Sequence, residues 1–80
     1  MHYAYILRSE VSHSLYFGST KDIKKRLTSH NKGQVTHTKK DKPWCVAWYG
    51  AFEGEVEAVA FEKYLKTASG KAFARKRLLT

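Results

Sequence analysis

Hydrophobic and polar positions along the chain predict three strands. Residues 3–7 (YAYIL) and 15–18 (LYFG) are aromatic and aliphatic, and the polar segment 9–14 between them predicts a hairpin connection. Residues 44–52 are almost continuously apolar and lie between a proline and a Glu-Gly pair. Such a run predicts a third strand that is buried on both faces.

The predicted hairpin carries a tyrosine on each arm. Ten residues separate Tyr5 from Tyr16, so antiparallel pairing of the arms would bring the two phenols close together on one sheet. On this evidence alone, ordinary packing is the better interpretation, because tyrosine is a common strand residue.

A first helix is predicted directly after the hairpin. Ser19 and Asp22 are arranged as in a capping box, which predicts a helix over residues 23–30 with Ser19 as its N-cap. Gly33 suits the left-handed conformation that often ends a helix.

Two further helices are predicted in the second half of the chain. Over residues 55–68, spacings of three and four define a core face formed by Ala58, Phe61, Leu65 and Ala68. Residues 69–70 (Ser-Gly) break this pattern. Residues 71–79 then predict a short third helix with Phe73 facing inward.

The segment 34–43 has no periodicity and contains Lys39, Lys40 and Lys42, so we predict an exposed basic loop. Contact with phosphates and simple solvation of the charges explain this composition equally well.

Charge is the compositional feature that most narrows the function. Fifteen Lys and Arg against seven Asp and Glu give a net charge of +8 on 80 residues, which favours a nucleic-acid partner over a merely soluble basic protein. The length predicts a single domain over residues 1–80. No stretch has the length of a signal or membrane segment, so we expect a cytoplasmic protein with no membrane partner.

Cys45 is the only cysteine, which excludes an internal disulfide and a cysteine metal cluster. Its apolar neighbours predict a small buried side chain and not a nucleophile.

The order of these residues resembles the GIY-YIG nuclease superfamily, and more narrowly its small single-domain, UPF0213-like branch. The resemblance is carried by residues 3–5, residues 16–18 after a gap of ten, Arg26 and His30 on the following helix, and Glu62 on a later one. It implies an α/β (α+β) fold in which helices flank a three-stranded antiparallel sheet, in the order β-β-α-β-α-α. It covers nearly the whole chain.

The activity that the resemblance implies is divalent-metal-dependent cleavage of phosphodiester bonds. Glu62 matches the metal-binding glutamate, and one carboxylate can hold Mg²⁺ (or Mn²⁺) while waters and phosphate oxygens complete the coordination. Arg26 offers a fork of donors that fits phosphate oxygens and would stabilise the transition state.

Tyr16 is the candidate general base, although a free phenol has a pKa of about 10 and would need a nearby positive charge to ionise. His30 is predicted to lie at the boundary between core and solvent, where it could relay a proton or orient water. Tyr5 could hold Tyr16 or a phosphate by a hydrogen bond. Tyr16, Arg26 and Glu62 are the stronger candidates of the five.

Each of these residues also has an ordinary structural explanation. Arg26 alone is a solvated helix residue, His30 alone suits a helix end, and Glu62 with Lys66 is a common ion pair on a helix surface. Their joint order favours the active site. The sequence departs from the family pattern in two ways. Tyr3, Ala4 and Phe17 replace name-giving residues of the family. Larger members also carry an asparagine after the glutamate helix, whereas this sequence has no asparagine beyond Asn31.

We therefore expect a DNA endonuclease of low sequence specificity, acting in a setting such as DNA repair. The DNA could be branched or single-stranded, RNA is not excluded, and a protein partner could supply specificity. The alternative is a catalytically weak or inactive nucleic-acid-binding module of the same fold. The side chains expected to contact phosphates are Lys24, Lys25, Lys32, Lys39, Lys40, Lys42, Lys66, Lys71 and Arg75.

Overall fold

The computed structural model describes residues 1–79, which form three strands and three helices in the order β-β-α-β-α-α. The elements are β1 His2–Ser9, β2 Leu15–Thr20, α1 Ile23–Asn31, β3 Trp44–Phe52, α2 Glu55–Leu65 and α3 Ala68–Phe73. A π-helical turn over Ala74–Leu78 continues α3. The strands form one antiparallel sheet in the order β2-β1-β3, which confirms the expected fold.

The first strand is the central one, and this position explains its burial. Residues 4–7 of β1 are at most 2% exposed, because the strand has a neighbour on each side and helices pack on both faces. The prediction that the third strand is buried on both faces is wrong. β3 lies at the sheet edge, where Tyr49 is 57% exposed. Cys45 is also exposed, so the prediction of a buried thiol is wrong too.

Side chains of β1 alternate between two layers of core, which we call the α1 face and the α2 face. The α1 face buries Tyr5, Leu7 and Trp44 against the partly buried Tyr16, Ile23, Leu27 and Val46. The α2 face buries Ile6, Phe17, Leu65 and Ala74, with Trp48 and Phe61 packed against them.

The helix after the hairpin begins at Ile23, with Asp22 and not Ser19 as its N-cap. Ser19 still belongs to β2, where it lies opposite Ala4, so the strand extends further than the sequence pattern indicated. The carboxylate of Asp22 accepts the backbone N–H of Lys25 at 3.0 Å. Gly33 has a φ of 75°, as predicted for the left-handed residue beyond the helix.

The predicted helix break at residues 69–70 is also wrong. α2 ends at Leu65, and Thr67 caps α3 by accepting the N–H of Gly70 at 3.0 Å. Gly70 is buried against the backbone of Tyr64, where a Cβ atom has no room. This glycine therefore permits close packing of two helices and does not end one.

Two residues predicted for the core lie outside it. Ala68 is exposed because α2 ends before it. Phe73 is 38% exposed and packs its ring against Tyr64, with centroids 6.1 Å apart. Ala74, one residue later, takes the fully buried position.

The basic segment 34–43 is more ordered than predicted. Lys39–Asp41 forms a 3₁₀ turn, and the Ser9 hydroxyl of β1 donates a hydrogen bond to the carbonyl of Asp41. Thr38 is only 1% exposed, although the three lysines of the segment are exposed as expected. Within residues 1–79, no helix has the length and apolar character needed to cross a membrane.

Candidate active site

The two hairpin tyrosines lie together on the α1 face. Tyr5 is opposite Gly18 and Tyr16 is opposite Leu7, so the phenols are diagonal neighbours with ring centroids 6.4 Å apart. A Cβ atom on Gly18 would lie 2.5 Å from the Tyr5 hydroxyl. The glycine after Tyr16 and Phe17 therefore leaves the space that the Tyr5 phenol occupies.

Arg26 reaches this pair from the second turn of α1. Its guanidinium lies close to the phenols of Tyr5 and Tyr16. The interaction with Tyr5 is the main reason why the pKa of Arg26 rises above its usual value, against a smaller opposite effect of burial. A positive charge thus lies beside the two phenols.

His30 is fully buried, which corrects the prediction that it lies at the boundary with solvent. Its Nε2 atom is 3.2 Å from the Tyr5 hydroxyl, and its Nδ1 atom is 2.8 Å from the Thr38 hydroxyl. The segment 34–43 folds over the end of α1, and its buried Thr38 covers the imidazole.

The hydrogen bonds assign a direction to this chain of polar groups. The Thr38 hydroxyl donates to the carbonyl of Val35 at 3.3 Å, so it accepts from Nδ1–H of His30. The Nε2 atom of His30 then accepts from the Tyr5 hydroxyl, whose oxygen in turn faces the Arg26 guanidinium. Tyr5 is held as a donor to His30.

Burial keeps both members of this pair neutral. It lowers the pKa of His30 to about 4, with a further contribution from the charge of Arg26. It also raises the pKa of Tyr5, an effect that Arg26 partly opposes. Near neutral pH, therefore, His30 carries no charge and Tyr5 keeps its proton.

Tyr16 is the more accessible phenol of the two. It is half-buried, whereas Tyr5 is 2% exposed. The Tyr16 ring packs edge-on against His30 at 4.9 Å and against Trp44 at 6.4 Å. These contacts fix its ring while leaving part of the side chain open to a substrate.

Glu62 belongs to α2. Its charge contributes to the raised pKa of Tyr5, as the last of several causes. The Lys66 ammonium lies 2.8 Å from Oε2 of Glu62, which confirms the predicted pairing of these residues. The Glu62 side chain is 17% exposed and that of Lys66 is 52% exposed.

The donor set around Glu62 limits what metal it can hold. No group of three or more His, Cys, Asp and Glu side chains comes together anywhere in residues 1–79. Mg²⁺ is commonly held by one or two carboxylates, with waters and substrate phosphates as its other ligands. Glu62 fits such a site provided that Lys66 releases the carboxylate.

Sequence reasoning missed two residues that support the site. Thr38 lies in a segment without periodicity, so nothing in the local pattern marked it. Asn31, at the end of α1, accepts the N–H of Trp44 at 2.6 Å and donates to its carbonyl at 3.0 Å. The Trp44 indole in turn donates to the carbonyl of Thr38 at 2.9 Å. These bonds fix the segment that covers His30.

All nine basic residues predicted to contact phosphates are exposed, and some of them line different cavities. Lys25 and Arg26 line a cavity of about 340 Å³ beside α1. Lys71 and Arg75 line a different cavity, of about 250 Å³, next to Leu15.

Comparison with known proteins gives a match along most of the chain. The family model described as the GIY-YIG catalytic domain matches residues 1–77. A UPF0213 protein of Staphylococcus saprophyticus is 39% identical over 69 residues, which cover 85% of this chain and 83% of that protein. A UPF0213 protein of Staphylococcus haemolyticus is 33% identical over the same shares.

A second group of relatives is much longer than this chain. The structure-specific endonuclease subunit slx1 of Schizosaccharomyces japonicus is 42% identical over 64 residues, which cover 72% of this chain but 23% of that protein. The similarity to this group is therefore confined to one part of the larger proteins.

Proposed function

Because the chain belongs to the GIY-YIG catalytic-domain family, we propose that it is a metal-dependent DNA endonuclease of low sequence specificity. The family match and the relatives named as endonuclease subunits support a nuclease-like function. The observation that carries the proposal is the position of the Arg26 guanidinium beside the phenols of Tyr5 and Tyr16, where the charge of Glu62 also acts on the pKa of Tyr5.

Each residue has a role that its surroundings favour. Arg26 binds the scissile phosphate and stabilises the charge that develops on it. Tyr16, the more accessible phenol, acts as the general base on water. Tyr5 keeps its proton and positions Arg26. His30 is a positioning residue, because a buried neutral imidazole bonded at both nitrogens serves orientation better than proton relay.

Glu62 would hold one Mg²⁺ or Mn²⁺ ion, which supplies positive charge at the phosphate oxygens when bound. The ammonium of Lys66 lies on that carboxylate, so it would have to move away before Glu62 could hold an ion. Lys66 would then be free to contact a phosphate of the nucleic acid.

The substrate and partners follow from the same reasoning. Exposed lysines without a base-reading element favour backbone contacts, and therefore DNA selected by a branch or a single-stranded region, with RNA as a further substrate. The slx1 relatives are named as subunits, which supports a protein partner for this chain. We place these functions in a single domain over residues 1–80 of a cytoplasmic protein that acts in DNA repair.

The second candidate is a nucleic-acid-binding module that cleaves little or nothing. It is favoured by the pairing of Glu62 with Lys66 in a chain whose residues 1–79 bring no three His, Cys, Asp or Glu side chains together as a metal site.

Cleavage assays distinguish the two candidates. With Mg²⁺ or Mn²⁺, the protein should cut single-stranded, branched or duplex DNA, and chelation should stop it. Glu62→Gln and Tyr16→Phe should each lower the rate by at least about 100-fold, the usual effect of removing a catalytic group, while DNA binding persists.

Glu57→Gln is the matched control, since Glu57 is an exposed glutamate of the same helix and should cut normally. If a broad panel of DNA and RNA stays uncut, the binding module is the correct function. If Glu62→Gln cuts as fast as the control, the role assigned to Glu62 is refuted.

A further inference from the structure

A third cavity, of about 430 Å³, opens between α1 and the edge strand β3. Two tyrosines from the sheet, Tyr3 and Tyr49, form one wall, and residues 21–24 form the other. The tyrosine rings meet edge to face, with centroids 6.0 Å apart and planes at 67°. The proposed chemistry uses neither of these aromatic side chains.

The wall of this cavity exposes an unusual amount of aromatic surface. Tyr49 is 57% exposed and Tyr3 is half-buried. A single exposed apolar side chain is ordinary, but two rings that line one cavity offer a flat partner a face and an edge at once.

Register places this wall next to the catalytic phenols. Tyr49 of β3 is directly opposite Tyr5, and Tyr3 lies two residues before Tyr5 on the same face of β1. The aromatic wall thus continues the row of rings that includes the proposed active site.

The positive charge around the cavity indicates that the flat partner belongs to an anionic chain. Lys21 and Lys24 flank the opening, while the carboxylate of Asp22 is engaged with the backbone N–H of Lys25 as the helix cap. Lys21 and Asp22 also line the 340 Å³ cavity onto which Arg26 opens. The two cavities therefore meet at the N-terminal tip of α1.

We propose that the cavity of Tyr3 and Tyr49 is a subsite for one unpaired nucleobase of a DNA strand whose phosphates run past Lys21 towards Arg26. The base stacks on the exposed ring of Tyr49. A base inside a duplex cannot enter, because its faces are covered by its neighbours. This inference rests on the proposed function, since it places the subsite beside the scissile phosphate.

Binding without metal tests the subsite independently of cleavage. The probes are a single-stranded oligothymidylate and an abasic strand of the same length. Tyr49→Ala should weaken binding of the oligothymidylate by about 10-fold, the usual effect of losing one stacked base. Tyr49→Phe keeps an aromatic ring and should therefore retain most of the affinity. Neither change should alter binding of the abasic strand.

Tyr64→Ala is the matched control, because Tyr64 is a 40% exposed tyrosine of α2 that does not line the cavity. Its binding of oligothymidylate should equal that of the unchanged protein. A strand carrying 2-aminopurine gives a measurement that needs no variant, since stacking on a tyrosine should change its fluorescence when the unchanged protein binds.

The subsite is refuted if Tyr49→Ala binds oligothymidylate like the control, if it loses affinity for the abasic strand equally, or if 2-aminopurine fluorescence does not respond. A protein that shows base-dependent binding through Tyr49 but cuts nothing would refute the nuclease and keep the subsite. Cleavage that depends on Glu62, with no effect of Tyr49→Ala on binding, would support the nuclease and refute the subsite.

Discussion

The two faces of the sheet bury different chemistry. On the α2 face the buried core cluster is apolar and consists of Ile6, Phe17, Leu65 and Ala74, while the buried His2 lies on the same face at the start of β1. On the α1 face, Tyr5 and Leu7 share the interior with His30 and Thr38. Within residues 1–79 every buried side-chain nitrogen or oxygen has a hydrogen-bond partner. The α2 face therefore supplies stability, while the α1 face holds a polar cluster in one arrangement.

Truncating the α2 face should give the largest loss of stability. Leu65 is fully buried beneath β1, so Leu65→Ala should lower the free energy of unfolding by about 2–5 kcal/mol through lost burial and a residual cavity. Leu27→Ala, at a half-buried position of the α1 face, should cost less. Urea denaturation at neutral pH measures both. A larger loss for Leu27→Ala would reverse the assignment of the two faces.

The α1 face should instead respond to pH, through His30. Its pKa falls from 6.5 to about 4 on folding, so between these values the unfolded chain binds a proton that the folded chain does not. Stability contributed by the neutral imidazole is complete above pH 6.5 and is lost as the pH falls to 4. The loss at pH 4 should be at most about 3 kcal/mol, given about 1.4 kcal/mol for each pH unit.

The control for this titration is His13, which is exposed in the turn between β1 and β2. Urea denaturation at pH 7 and pH 4 should show a smaller difference for His30→Asn than for the unchanged protein, while His13→Asn should leave the difference as it was. An unchanged difference in His30→Asn would show that another group causes the acid sensitivity.

The fold was largely predictable because its signals are local. The apolar runs of the hairpin and the spacing of α2 placed the elements, and the resemblance supplied their pairing. The wrong predictions concern features that depend on contacts between separate strands and helices. Burial of a strand depends on its place in the sheet, so the strand buried on both faces is the central β1 and not β3 as predicted. Gly70 acts through contact with α2, which no local pattern records.

The same division applies to the candidate site. Spacing in the hairpin predicted the proximity of Tyr5 and Tyr16, because antiparallel register is simple to count. The burial of His30 could not be predicted, since it depends on the segment 34–43 folding back so that Thr38 covers the imidazole. The position of Thr38 also depends on Trp44, whose indole donates a hydrogen bond to the Thr38 carbonyl.

The smallest expected effect on stability concerns the ion pair of Glu62 and Lys66 on α2, whose carboxylate also acts on the pKa of Tyr5 on the α1 face. A pair of this kind on one helix, with an exposed lysine, contributes only a few tenths of a kcal/mol, so Lys66→Met should leave unfolding almost unchanged. Removing the ammonium should nevertheless help a metal ion to reach the carboxylate. At saturating DNA, the Mn²⁺ concentration for half-maximal cleavage should fall by about 2- to 5-fold, equivalent to a surface ion pair.

Lys63→Met provides the comparison, since Lys63 is an exposed lysine of α2 whose ammonium makes no ion pair with any carboxylate in residues 1–79. It should need as much Mn²⁺ as the unchanged protein. If both variants shift equally, the cause is the general loss of positive charge on α2. If neither shifts, the ammonium on Glu62 does not compete with the ion, and metal binding must involve other groups. A shift confined to Lys66→Met would tie metal binding to the carboxylate that links the apolar face to the polar one.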